Sequence, residues 1–169
     1  KRDGAAQVIG ALVFTISPIH DDAHYAQAAA TMAASPDIDA LYIKDPGGLL
    51  SPMRARTLIP AVQAVIGDKP LELHAHCTIG LGEQSYLEAA DLGINALQCA
   101  SGAAADGTSN PPIERVIANL RALGHTVDID ETALSQVSAP FTAIAQAEGL
   151  PVGRPLGQRV HHHVASEPL

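Results

Sequence analysis

Four times along this chain, a short aliphatic run gives way to a loop of breakers and caps and then to an alanine-rich helical stretch. Residues 8–15, 40–44, 71–76 and 94–99 read as strands, each bounded by Gly, Pro, Asp or Ser. Between them, Asp21 or Asp22 caps a helix expected from about 24 to 34. Ser51 with Pro52 opens a second helix that reaches about Ile66. Gly80 and Gly82 lead into a third that ends near Leu92, with Gly93 as its stop, and Pro111 and Pro112 open a fourth that stops at Gly124. Residues 130–149 form one more amphipathic helical stretch, and 150–169 a Gly/Pro-rich tail. Strands separated by whole helices have room for the long crossovers that parallel pairing needs, so the class is α/β.

Which α/β architecture follows from the strand faces. Alternate side chains of a strand share a face, so Leu71, Leu73 and Ala75 lie on one side and Glu72, His74 and His76 on the other. Likewise Leu41 and Ile43 oppose Tyr42 and Lys44. An open sheet covered on both sides would bury those polar faces under apolar helices, at a cost unless every group is paired. A (β/α)8 barrel collects them at the carboxyl ends of its strands. With four βα units in 169 residues, against about 250 for a whole barrel, the expectation is half of one.

Composition agrees. Thirty alanines, 3% aromatic residues and no Trp suit small-residue helices packed closely on aliphatic strands. A net charge of −8 with no basic run argues against a nucleic-acid or anionic-membrane surface, since phosphate neutralisation needs clustered cations. Cys77 and Cys99 sit in different segments without metal-type spacing, which reads as reduced thiols in a cytoplasmic protein. The chain starts with Lys1 rather than Met, which suggests removal of something upstream.

His74 and His76 place two imidazoles on one strand face about 7 Å apart, near enough to converge on one ion or to be packed core histidines. Both fall at a strand's carboxyl end before a Gly-containing loop, and Lys44 occupies the matching end of the neighbouring strand. An ammonium beside a dication is unfavourable. Lys44 therefore either pairs with Asp45 or Glu72 at the rim, or is converted to a carbamate that supplies an anionic oxygen ligand. Glu72 stands on the same face as a candidate outer partner of the histidines. Ser109 or Asn110 is a candidate cap for the helix at Pro111, and His20 a surface-loop residue.

Ile43-Lys44-Asp45-Pro-Gly-Gly48-Leu-Leu50, Leu73-His74-Ala-His76-Cys-Thr78-Ile-Gly80 and Gly107-Thr108-Ser109-Asn110-Pro111 resemble successive strand-end motifs of the carboxyltransferase domain of biotin-dependent carboxylases. That group includes pyruvate carboxylase, the oxaloacetate decarboxylase α subunit and transcarboxylase, within the HMG-CoA-lyase-like metal-dependent barrels. Phe14-Thr15-Ile-Ser17-Pro18-Ile-His20 is similar to the end of that family's fifth strand, and 149–155 with 160–162 to the segment after its barrel. The thirty residues from Lys44 to His74 also suit the family. The departures are a Lys-Asp-Pro-Gly-Gly loop where Lys-Asp-Met-Ala-Gly is usual, Cys77 where Asp, Ala or Ser is common, and Phe14 for a frequent Tyr.

The resemblance implies that residues 1–126 are the second half of a (β/α)8 carboxyltransferase barrel, strands five to eight, and 127–169 a post-barrel helix and extended tail. It implies that Lys44 is the carbamylated metal-bridging lysine, that His74 and His76 are metal ligands, and that Thr108 is the catalytic proton shuttle. The cofactors implied are a divalent metal ion (Zn, Mn or Co) and biotin, a carboxyl carrier on a separate domain or chain. The reaction implied is carboxyl transfer between carboxybiotin and a 2-oxo acid such as pyruvate or oxaloacetate, through a metal-stabilised enolate. The partners implied are that substrate, a biotinyl carrier domain, biotin carboxylase or decarboxylase subunits, a missing N-terminal half-barrel with a further Asp ligand, and an oligomer, with no nucleic acid. Two alternatives stay open: a metal-dependent aldolase, lyase or acyl-CoA-condensing synthase on the related barrel, and a non-catalytic half-barrel that needs a partner chain.

Overall fold

A computed structural model describes residues 4–150 and 152. The elements run β1 (Ile9–Val13), α1 (Asp22–Ala33), β2 (Ala40–Asp45), α2 (Pro52–Gln63), β3 (Leu71–Ala75), α3 (Gly82–Asp91), β4 (Ala96–Leu97), a 3-10 turn (Gly102–Ala104), α4 (Ile113–Ala122) and α5 (Glu131–Ala147). The four strands form one parallel sheet in chain order. Neighbouring helices pack in the same succession, α1 on α2, α2 on α3 and α3 on α4. This is part of a (β/α)8 barrel wall: sheet inside, helices outside.

The alternation read in the sequence is the one the sheet uses. Leu41, Ile43, Leu71, Leu73 and Ala75 are fully buried beneath the helices, with Leu12 and Phe14 beside them. Each large side chain of that set contributes about 1.5–3 kcal/mol by leaving water. The opposite face carries Val13, Tyr42, Lys44, Glu72 and His74 and is only half covered. Val13, an apolar side chain, is 57% exposed there, as expected for the lumenal side of a partial barrel.

The helix starts follow their caps. Asp21 accepts from the His24 N–H and Ser51 from the Arg54 N–H. Two expectations change. β4 pairs over two residues rather than six: the Tyr86 hydroxyl takes the Ala75 N–H at its carboxyl end, and Asn95 Oδ1 takes the Leu71 N–H at the other. Neither Ser109 nor Asn110 caps α4: Pro112 stands at the cap without a side-chain bond, while Asn110 donates from Nδ2 to the Ala75 carbonyl (3.1 Å). α5 forms but buries only Ala145, leaving Val137, Phe141 and Ile144 exposed. The tail motif beyond residue 152 lies outside the described residues. Among the described residues no helix is long and apolar enough to cross a membrane.

Candidate metal centre

The parallel register sets Val13 beside Lys44 and Lys44 beside His74, and Gln98 follows one step beyond the Leu73–Leu97 pair. Lysine, histidine and glutamine thus form one row across three neighbouring strands, on the lumenal face. Tyr42 stands one level below, its ring 6.3 Å from that of His74, edge to face.

His76 follows the last residue of β3 and is held by its backbone. Its N–H donates to the Asp45 carbonyl (3.0 Å), and the next N–H, of Cys77, donates to the Ser109 carbonyl (2.8 Å). Two glycines admit this packing. A Cβ on Gly48, which has φ +67°, would lie 2.8 Å from the His76 carbonyl oxygen, and one on Gly82 would lie 2.9 Å from it. Asp45 fixes the lysine loop from the outer side. Buried at 1% exposure, it accepts the Leu50 N–H at Oδ2 (2.7 Å), while the buried Ser85 hydroxyl donates to the Leu50 carbonyl (2.5 Å). Asp45 Oδ1 is buried without a hydrogen bond.

The two imidazoles converge, with His74 Nε2 3.1 Å from His76 Nε2. His74 is pinned on its other side, Nδ1 lying 2.9 Å from Gln98 Oε1, and Gln98 Nε2 donates to Glu72 Oε2 (2.8 Å). The buried Tyr86 hydroxyl places Gln98: it accepts the Ala75 N–H (3.0 Å) and donates to the Gln98 carbonyl (2.6 Å), bridging β3 and β4.

The Lys44 side chain makes no hydrogen bond or ion pair with any described residue, so pairing with Asp45 or Glu72 is not what the structure shows. Thr108 stands exposed on the turn after the 3-10 segment and has no hydrogen bond to Lys44, His74 or His76. The structure therefore brings Lys44, His74 and His76 into one neighbourhood and leaves Thr108 outside their bonding network. Glu72 joins the histidines through Gln98, a residue the sequence pattern does not single out. Its only signal is a polar side chain near the end of a mostly apolar strand.

The donor set fits a divalent cation. Two nitrogens about 2.05 Å from one ion and 3.1 Å apart would subtend roughly 100° at it, between tetrahedral and octahedral angles. Among the described residues no group of three or more His, Cys, Asp or Glu is placed to hold a metal. A carbamate on Lys44 would supply a further, anionic oxygen ligand. Burial, with Asp106 adding to it, pushes the Cys77 thiol up to about 11. Burial, with Glu114 adding, pushes Cys99 up to about 12. Both cysteines are free.

A parallel barrel wall with two histidines converging at its strand ends, and a lysine in register beside them, defines a class, the (β/α)8 barrels. Within that class the chain belongs to the HMGL-like family, whose model matches residues 7–140. It is similar to a pyruvate carboxylase subunit of Methanocaldococcus jannaschii, with 32% identity over 86% of this chain and 25% of that protein. It is also similar to the methylmalonyl-CoA carboxyltransferase 5S subunit of Propionibacterium freudenreichii subsp. shermanii, with 30% identity over 80% of this chain and 27% of the relative. Among solved structures, the carboxyl transferase domain of Rhizobium etli pyruvate carboxylase with oxamate and biotin aligns with a TM-score of 0.77 and 22% identity. That alignment covers 88% of this chain and 27% of that one and shows the fold. The chain thus spans about a quarter of the length of these relatives.

Proposed function

We propose that this chain is the metal-bearing part of a biotin-dependent carboxyltransferase, in which a carboxyl group passes between carboxybiotin and a 2-oxo acid such as pyruvate or oxaloacetate. The observation that carries the reading is the approach of His74 Nε2 and His76 Nε2 to 3.1 Å beside a lysine with no partner among the described residues, in a chain 32% identical to a pyruvate carboxylase subunit. His74, His76 and a carbamylated Lys44 would hold a divalent ion such as Zn, Mn or Co, which when bound supplies Lewis acidity toward the oxo acid's carbonyl. A further ligand and the other strands come from the rest of the protein. Biotin arrives on a carrier domain, partner subunits load or unload it, and the assembly is oligomeric.

The chain's own residues position and select. The row of Lys44, His74 and Gln98 fixes where the substrate's charged end lies. Asp45, Gly48 and Gly82 lock the strand ends that carry the row. The half-covered lumenal face excludes water once the remaining wall is in place. Residues 1–126 serve as the barrel portion and 127–169 as the segment leaving it, and the two free thiols suit a reducing cytoplasm.

The test is metal content and carboxyl transfer in the full-length protein. Wild type should retain a divalent ion and exchange carboxyl groups between biotin and pyruvate, and His74→Ala should lose both. Unchanged metal and transfer in that variant would overturn the reading. A metal-loaded protein with an unmodified Lys44 that cleaves or condenses acyl-CoA substrates would favour the lyase and synthase branch of the family instead.

A further inference from the structure

We propose that Gln98 is a positioning residue that sets the tautomer of His74 under the control of Glu72. The inference rests on the metal reading above but adds a directional hydrogen-bond chain that it does not contain. Gln98 Nε2 is committed to Glu72 Oε2 at 2.8 Å, so the amide can present only its carbonyl oxygen to His74. An oxygen 2.9 Å from His74 Nδ1 accepts, so Nδ1 carries the proton and Nε2 keeps its lone pair. That lone pair points where His76 Nε2 also points, 3.1 Å away. In the metal-free state the histidine contact is then a hydrogen bond donated by His76 Nε2. A cation takes the place of that single proton rather than having to displace one from each ring.

Three elements converge to make the chain. Glu72 and His74 share the lumenal face of β3, and Gln98 reaches them from the end of β4. Tyr86 of α3 anchors the Gln98 carbonyl at 2.6 Å, which fixes the backbone from which the side chain reaches Glu72 and His74. A glutamine alone would serve either imidazole nitrogen state, because its amide can flip. The carboxylate behind it removes that ambiguity. Outer partners of this kind commonly hold metal-binding histidines in orientation, and their loss costs about 10–100-fold in metal affinity.

The experiment uses the full-length protein, first stripped of metal and then titrated with zinc. Histidine ring nitrogen NMR at pH 8 should find His74 of the metal-free wild type protonated at Nδ1. Glu72→Ala frees the amide to turn and should shift a measurable part of His74 to the Nε2-protonated form. Gln98→Leu should weaken zinc binding by about 10–100-fold. The reversed pair, Glu72→Gln with Gln98→Glu, restores an acceptor facing Nδ1 and should return affinity to within about threefold of wild type. His74 protonated at Nε2 in the metal-free wild type would overturn the proposal, whatever the variants do. So would Gln98→Leu binding zinc as tightly as wild type while folded by circular dichroism. A wild type with the stated tautomer but no zinc affinity would overturn the metal reading alone and leave the tautomer assignment standing.

Discussion

His74 and His76 turn their Nε2 atoms to within 3.1 Å of each other, although two residues apart on one strand face guarantees only about 7 Å. The difference comes from the ends of the two side chains, which separate elements control. The ring of His74 is drawn back by Gln98. The backbone of His76, past the end of β3, is bonded to Asp45 and packed between Gly48 and Gly82. Convergence is thus a property of four chain segments rather than of the His-x-His spacing.

The lysine beside this pair can be tested by charge. Lys44→Arg keeps a cation in place but cannot form a carbamate, and metal content should fall by more than about 100-fold in affinity, beyond the loss of an outer partner. Lys44→Glu supplies a carboxylate that ends three bonds short of the carbamate, but it removes the cation and should retain more metal than the arginine variant. Metal analysis of purified full-length protein checks both. Wild-type metal in Lys44→Arg would remove Lys44 from the ligand set.

Gly48 is fixed by two independent restraints. Its φ of +67° disfavours a Cβ, and that Cβ would lie 2.8 Å from the His76 oxygen and 2.9 Å from the Thr78 nitrogen, both backbone atoms. Gly48→Ala should cost about 2 kcal/mol in chemical denaturation and displace His76, so that metal affinity falls with stability. Unchanged stability would show that the lysine loop tolerates a shift.

Tyr86 offers a test of the β3–β4 junction. Its hydroxyl is buried and satisfies the Ala75 N–H and the Gln98 carbonyl together. Tyr86→Phe preserves the ring and strands both partners, which should cost about 1–3 kcal/mol in denaturant titration. A neutral substitution would mean that the strands close on each other without the hydroxyl.

Much of this arrangement is legible in the sequence because strand alternation is a local signal. Leu41, Ile43, Leu71 and Leu73 report the buried face without reference to any other segment, and Asp21 and Ser51 mark helix starts by their own hydrogen bonds. Lys44, His74 and His76 are legible from strand position and from resemblance to a family. Gln98 and Tyr86 are not, since each acts across 11 to 26 residues of sequence through a register no pattern within one strand reveals. Asn110 reads as a cap for the same reason. Its amide is drawn to the Ala75 carbonyl, 35 residues away, a partner that exists only once β3 and the 106–110 loop are docked.

Cys77 carries a pH dependence whose sign follows from burial. The fold favours the neutral thiol, pushing it up to about 11, so this preference stabilises the protein below the ordinary thiol value of about 8.5. It is lost as pH rises toward 11. At pH 8 the thiolate is on the order of 200-fold scarcer than in an ordinary cysteine, and alkylation by iodoacetamide should be slowed to a similar degree. Labelling at the rate of a free peptide thiol would show that the site opens.

Thr108 separates a resemblance from a geometry. The resemblance assigns it proton transfer, yet it is exposed and makes no hydrogen bond to the lysine or either histidine. Its turn is tied down by other groups: Arg115 pairs with Asp106 at 2.6 Å and also with Glu83, and the Ser109 carbonyl holds the Cys77 N–H. Thr108→Ala should therefore leave folding and metal content unchanged, because an exposed side chain without partners contributes little to stability, and its kcat reads the proton-transfer role separately. A variant with normal metal and a kcat lowered by the roughly 10²–10⁴-fold typical of lost proton transfer would put the shuttle at Thr108.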